Sequence, residues 1–221
     1  IDLKSSPRVF AYLHRSRGIA AEIVNHCIKY DLLYEDAQHH NAVFVGKDEN
    51  NNARYAFLRG TLTGSHFRQE ATGSDKSYGF FLRGTGKTLF VCEAAIDALS
   101  VATLRKFGGL DWKKDNYLAL GGVTASECKL PVALERTLNN FSFKRVVLCF
   151  DNDAAGQTAA RRIFTMLRQQ FPENLEVRTC VPEVKDFNDQ LCVKLQNGKN
   201  SPSFAPARLA TYTRALYRAK G

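Results

Sequence analysis

Apolar and polar positions change rhythm twice along this chain. Between residues 7 and 32 they recur at helical spacing. Ser6 followed by Pro7 reads as an N-cap with proline at the first helical position, and RVFAYLHRSRG carries a helix to Gly18. AAEIVNHCIKYDLL then sets Ile23, Cys27 and Ile28 on one face of a second helix. Next the period drops to two. NAVFVGKD and RYAFLRGT read as strands joined by the polar turn ENNN, a polar stretch HFRQEATGSDK follows, and YGFFL is a further short strand. Residues 1–87 are thus expected to form a small α+β unit.

From Thr88 strand and helix alternate. TLFVCE, NYLALGG, RVVLCF and LEVRTCV are short apolar runs of strand length. Between them lie AAIDALSVATLRKFGG, with Ile96, Leu99, Leu104 and Phe107 along one face, a helical stretch from about Ser126 to Asn139, and AAGQTAARRIFTMLRQQF, ended by Pro172. DFNDQLCVKLQNG reads as a last helix closed at Gly198. This order predicts an α/β fold over residues 88–200, a parallel sheet covered by helices on both faces. Residues 201–221 read as a basic amphipathic helix.

Composition narrows the class. Of 221 residues, 44% are hydrophobic and 24% charged, which excludes a low-complexity polymer and argues against disorder. No apolar run approaches the roughly 20 residues of a membrane-spanning helix. The opening IDLKSSPRVF lacks the apolar centre of a secretory signal, and a start at Ile1 reads as a piece of a longer chain. None of the six cysteines stands at zinc-knuckle spacing, and three lie inside apolar strands, so a reduced, cytoplasmic protein is expected. The net charge of +9 suits a polyanionic partner.

Two motifs compete for the chemistry. Gly84-Thr85-Gly86-Lys87-Thr88 invites a phosphate-binding-loop reading, but Phe81 stands where the first glycine belongs, and the segment precedes a strand instead of opening a helix. The acids are more informative. Glu93 ends the first strand of the alternating part, Asp151 and Asp153 end the third, and Asp186 and Asp189 follow the fourth. Asp97 lies one helical turn beyond Glu93. The carboxyl ends of parallel strands form the ligand-binding rim of such sheets. Six acids there repel one another unless a cation intervenes, and hard oxygen donors suit Mg²⁺ or Mn²⁺. Taken singly, each strand-end aspartate also suits the cap of the next helix.

Glu93-x-x-x-Asp97, Asp151-Asn152-Asp153-x-x-Gly156 and Lys185-Asp186-x-Asn188-Asp189, in this order and on these strands, resemble the toprim domain. That Rossmann-like fold is shared by bacterial DnaG-type primases, phage primase-helicases, topoisomerases and some nucleases. In the front unit, AYLHRSRGIAAEIV is similar to a helical stretch of the primase polymerase region, and the FLRGT hairpin and GSDKSYGF loop to the segments after it. The closest resemblance is to small primase-like toprim proteins of plasmids and conjugative elements.

The resemblance implies a divalent metal on Asp151 and Asp153, with Asp97, Asp186 and Asp189 in or near its shell, and Glu93 as the acid/base residue. Gly121 and Gly122 would let backbone approach phosphate, or simply make a tight turn. Setting six of the 22 acids aside leaves 16 against 31 basic residues, which suits a phosphate footprint. Its candidates are Arg59, Lys76 and Lys185, whereas Arg161 and Arg162 read as a solvated helix face. The expected function is a primase-like nucleotidyltransferase core of a mobile element, acting on single-stranded DNA with nucleoside triphosphates beside a helicase or relaxase. A toprim nuclease and a DNA-binding accessory are the alternatives. The zinc module that usually precedes such a core is not in the chain, and His39-His40 is weak support for any metal.

Overall fold

The structure, a computed structural model, describes residues 6–62, 64–123 and 129–199. The basic tail helix and the start of the stretch at Ser126 lie outside them. Helix α1 (Pro7–Ala11) runs on into a π-helical turn, Tyr12–Ser16, and Gly18 ends it at φ 71°. The Ser6 side chain does not cap this helix. The carboxylate of Glu35, on strand β1 (Leu33–Glu35), accepts from the Arg8 and Val9 amides at 2.9 and 3.2 Å. A full negative charge satisfies orphan amides better than a hydroxyl does.

Helix α2 (Ala21–Lys29) stops earlier than its pattern suggests, because Asp31 turns left-handed at φ 54° and sends Leu32 and Leu33 toward the sheet. Strand β1 then joins β2 (Ala42–Lys47), β3 (Ala53–Arg59) and β4 (Arg68–Glu70) in an antiparallel sheet of order β1-β2-β3-β4. Sequence patterning showed neither β1 nor β4. The β2–β3 turn is organised by Asp48, whose carboxylate accepts from the Asn50 and Asn52 amides.

The second sheet has the order β5-β7-β6-β8-β9, from β5 (Phe81–Leu82), β6 (Thr88–Cys92), β7 (Asn116–Ala119), β8 (Arg145–Cys149) and β9 (Glu176–Thr179). Four strands are parallel. The edge strand β5, drawn from the YGFFL segment ahead of residue 88, runs antiparallel to β7, so the sheet is mixed. Its inner strands are apolar on both faces. Phe90, Cys92, Val147 and Cys149 face α3 (Ala95–Phe107), α6 (Phe187–Lys199) and the front unit, while Leu89, Val91, Val146 and Leu148 face α4 (Val132–Asn140) and α5 (Ala154–Gln170). Helix α4 starts only at Val132, since Pro131 has no amide and biases Leu130 away from helix. Helix α6 passes through Gly198 to Lys199.

The Gly84–Gly86 segment makes no phosphate loop. Its Thr85 and Gly86 amides donate to the Lys113 and Lys114 carbonyls, and β-carbons on Gly84 and Gly86 would strike the backbone of Asp115 and Lys114. No described helix is long and apolar enough to cross a membrane.

Candidate active site

The chain leaves β6 through α3 on one face of the sheet and leaves β8 through α5 on the other. The crevice between the carboxyl ends of β6 and β8 is therefore the topological switch point, where sheets of this kind bind ligands. Glu93 and Asp151 stand on its two sides, and a Glu93 oxygen accepts from the Asp151 amide at 3.1 Å. Asp97 lies in the first turn of α3, nearly buried at 8% exposure, and accepts from the Asn188 amide at 3.2 Å. Asp153 is the N-cap of α5, accepting from Gly156 at 2.8 Å, and Asp186 accepts from the Asp189 amide at 2.7 Å at the start of α6. Asp153 and Asp186 are thus helix caps as well as rim acids. Each such bond engages one carboxylate oxygen.

The electrostatics tie these groups together. Burial pushes Glu93 up to about 7, helped by Asp151 and Asp153 and opposed by the Asp151 amide. Burial also lifts Asp97 to about 8, with Asp186 and Asp151 adding repulsion. Asp151 rises to about 6, through burial first and then Asp186 and Asp153, against the attraction of Lys185. Acids this reluctant to ionise together have the chemistry of a cation site. Among the described residues no group of three or more acidic, histidine or cysteine side chains is placed to hold a metal ion by itself. Mg²⁺ does not require such a group, since it takes one or two carboxylates and completes its shell with water and phosphate oxygens.

Opposite the acids stands the front sheet. A cavity of about 490 Å³ is lined on one side by Glu93, Asp97, Asp151, Gly121 and Gly122 and on the other by Phe44, Tyr55, Phe57, Arg68 and Glu70. Alternation along β3 puts Tyr55, Phe57 and Arg59 on a single face, and the register pairs Arg59 with Arg68 and Phe57 with Glu70. Two arginines directly across a strand pair repel each other. The Arg59 Nε is moreover buried without a hydrogen-bond partner. Arg68 is a residue that sequence reading missed, because it sits in a polar stretch with no apolar alternation to mark a strand.

The other basic candidates are placed differently. Lys76 pairs with Glu70 at 3.1 Å, and the Tyr55 hydroxyl donates to that same Glu70 oxygen at 3.3 Å. Lys185 is exposed beside Asp151, its carbonyl accepting from Asn152. Gly121, at φ 74°, lies under Tyr55, whose hydroxyl a β-carbon there would meet at 2.4 Å. Gly122, at φ 109°, donates to the Glu93 carbonyl and is open above. His40 is bonded to Glu35 at 2.6 Å, away from the acids.

Residues 90–191 match the Toprim-like family, and residues 11–87 match a family described as a protein of unknown function (DUF3991). No curated protein matches the chain. Among solved structures, the primase fragment of the bacteriophage T7 primase-helicase superposes with a TM-score of 0.59 at 23% identity, over 83% of this chain and 69% of that one. The DnaG primase catalytic domain bound to single-stranded DNA gives 0.56 at 13% identity, over 90% and 71%. The E. coli primase catalytic core gives 0.54 at 15%, over 88% and 70%. Residues 90–191 are thus similar to the Toprim-like family, within an α/β fold that the chain shares with primase catalytic cores.

Proposed function

We propose that this chain is the core of a metal-dependent, primase-like nucleotidyltransferase, which builds an RNA primer on single-stranded DNA from ribonucleoside triphosphates. The observation that carries the reading is the pairing of opposites across one cavity. Arg68, directly across the strand pair from Arg59 with its unpartnered Nε, faces carboxylates that resist ionising together. A polyphosphate and a divalent cation would satisfy both walls at once.

Asp151 and Asp153 would hold Mg²⁺ or Mn²⁺, with Asp97, Asp186 and Asp189 around them. The ion, when bound, stabilises negative charge on the phosphates. Arg59 and Arg68, joined by Lys76 and Lys185, would neutralise triphosphate or template backbone. The chemistry left to protein groups is proton transfer. As the 3′-hydroxyl oxygen of the primer end bonds to the α-phosphorus and the bond to pyrophosphate breaks, Glu93 takes the hydroxyl proton. A carboxylate titrating near 7 is suited to that role. Gly122 leaves space for phosphate at the cavity floor, whereas Gly121 is covered by Tyr55. The T7 relative is a primase-helicase, which supports a helicase as partner.

Primer synthesis on single-stranded DNA, run beside nicking of supercoiled plasmid, tests this reading. Mn²⁺-dependent extension without nicking is expected. Nicking alone identifies a nuclease, and DNA binding with neither activity identifies an accessory protein; either result overturns the proposal.

A further inference from the structure

The Asn188 side chain is committed on every polar atom. Its Nδ2 donates to the Arg17 carbonyl at 2.8 Å and to Ser100 Oγ at 3.0 Å, and its Oδ1 accepts from Arg17 Nη1 at 3.3 Å. Ser100 gives its own proton to the Ile96 carbonyl, which leaves its oxygen free to accept. Asn188 and Ser100 are 3% and 0% exposed. A residue so engaged offers no atom to a cation. Nor does its side chain cap its own helix, since Asp186 fills that position at the start of α6. What Asn188 offers the acid rim is its backbone amide, which holds the Asp97 carboxylate.

The partner that fixes Asn188 comes from the other end of the chain. Arg17 is itself held, its Nε donating to the Tyr12 hydroxyl at 3.0 Å and its guanidinium lying over the Tyr12 ring. The π-helical turn ends there, with the Arg17 amide bonded to the Tyr12 carbonyl. Gly18 then lets the chain pass close to α6, where a β-carbon would come within 2.5 Å of Leu195. Two residues on, the Ala20 amide donates to Thr103 Oγ1. The Arg17–Ala20 turn therefore wedges between α3 and α6, the two helices whose first turns carry Asp97 and Asp189.

We propose that Asn188 is a positioning residue: clamped by Arg17 and Ser100, it sets the place of Asp97 and of the first turn of α6, so that cation affinity at the rim depends on a contact made by the front unit. The inference rests on the cation reading above. Residues that orient a ligand carboxylate typically change metal affinity by about 10–100-fold when removed. Thr103 is the control, because it makes a contact of the same front unit with α3 two turns away from Asp97.

Mn²⁺ binding is to be measured by calorimetry on the full chain, below the melting temperature of each protein, for the parent, Asn188→Ala, Ser100→Ala and Thr103→Val. Asn188→Ala should lose affinity by about tenfold or more. Thr103→Val should lower the melting temperature and leave affinity within about twofold, as a purely structural contact would. Equal Mn²⁺ affinity in the parent and Asn188→Ala overturns the inference alone, and so does a loss in Thr103→Val as large as that in Asn188→Ala. A parent that binds no Mn²⁺ overturns the cation reading together with it. If Asn188→Ala does not fold, Ser100→Ala decides: a severalfold loss of affinity supports the role, and an unchanged value overturns it.

Discussion

Glu93 and Gly156 share a space that admits no β-carbon. One built on Gly156 would lie 2.8 Å from Glu93 Oε1 and 2.5 Å from the Asp151 carbonyl oxygen. The motif glycine thus lets the N-terminus of α5 close onto both acids, while its amide donates to the N-cap carboxylate of Asp153. Gly156→Ala would gain about 1 kcal/mol of helix propensity. Against that, backbone must move, which typically costs about 1–3 kcal/mol. A lower melting temperature is expected, together with a loss of primer synthesis beyond what stability explains. Thermal melts and a rate assay below the melting temperature check this.

The alternating half of the fold was readable because its inner strands are apolar on both faces and its acids stand at strand ends. Phe90 and Cys92, or Val147 and Cys149, announce burial by themselves. The front unit was less legible. Strand β4, Arg68-Gln69-Glu70, is an edge strand with two exposed residues, and nothing in its composition distinguishes it from loop. Ser6 looked like a cap, yet Glu35 supplies it from 26 to 27 residues away. Asn188 could be quoted within a motif but not given a job, since its partner Arg17 is 171 positions distant. Local pattern carries local structure, and contacts of this separation leave no periodic trace.

Glu93 and Asp151 should fail differently when neutralised. Glu93→Gln retains the shape of the side chain, so Mn²⁺ affinity should survive while the rate falls about 10²–10⁴-fold, as for a lost general base. Asp151→Asn removes a ligand charge, so affinity should fall first and excess Mn²⁺ should restore part of the activity. Calorimetric titration of both variants beside the parent decides the division of labour, and equal losses would refute it.

Without a divalent ion, stability should fall as pH rises. In the folded chain Asp151, Glu93 and Asp97 hold their protons to about 6, about 7 and about 8, whereas unfolded carboxylates release theirs near 4. Between about pH 4 and about pH 8 the folded state therefore binds more protons than the unfolded, and the slope of stability with pH is negative. The contribution is full below pH 4 and lost above pH 8. Melts in a chelator across this range should show the decline. Mn²⁺ should flatten it, and Asp97→Asn, which cannot ionise, should lessen it.

Away from the rim, Arg105 and Asp115 form a buried pair, 4% and 5% exposed, with Arg105 Nε donating to Asp115 Oδ2 at 2.6 Å. Removing Asp115 takes the carboxylate away from a buried guanidinium. Asp115→Ala should thus cost about 3–5 kcal/mol of stability. Urea unfolding measures it, and a loss below about 1 kcal/mol would show that Arg105 finds water or another acceptor.

Phosphate contact should reveal itself in salt. If Arg59 and Arg68 bind template backbone, each releases counterions on binding, and for single strands every such contact adds about 0.7 to the slope of log affinity against log salt. Arg59→Ala and Arg68→Ala should each weaken single-stranded DNA binding at low salt and lower that slope by about this amount, with little dependence on sequence. Arg161, exposed on α5 with its guanidinium bonded to Thr158, is the control whose removal should leave the slope unchanged. Should the arginines instead serve only the triphosphate, DNA affinity and slope would hold in both variants while the KM for nucleotide rose. Fluorescence anisotropy over a salt series, paired with nucleotide-dependent primer synthesis, separates the two. A variant that leaves slope, affinity and KM all unchanged would remove its arginine from the site, and with both unchanged the opposition of charges across the cavity would no longer support polyphosphate chemistry.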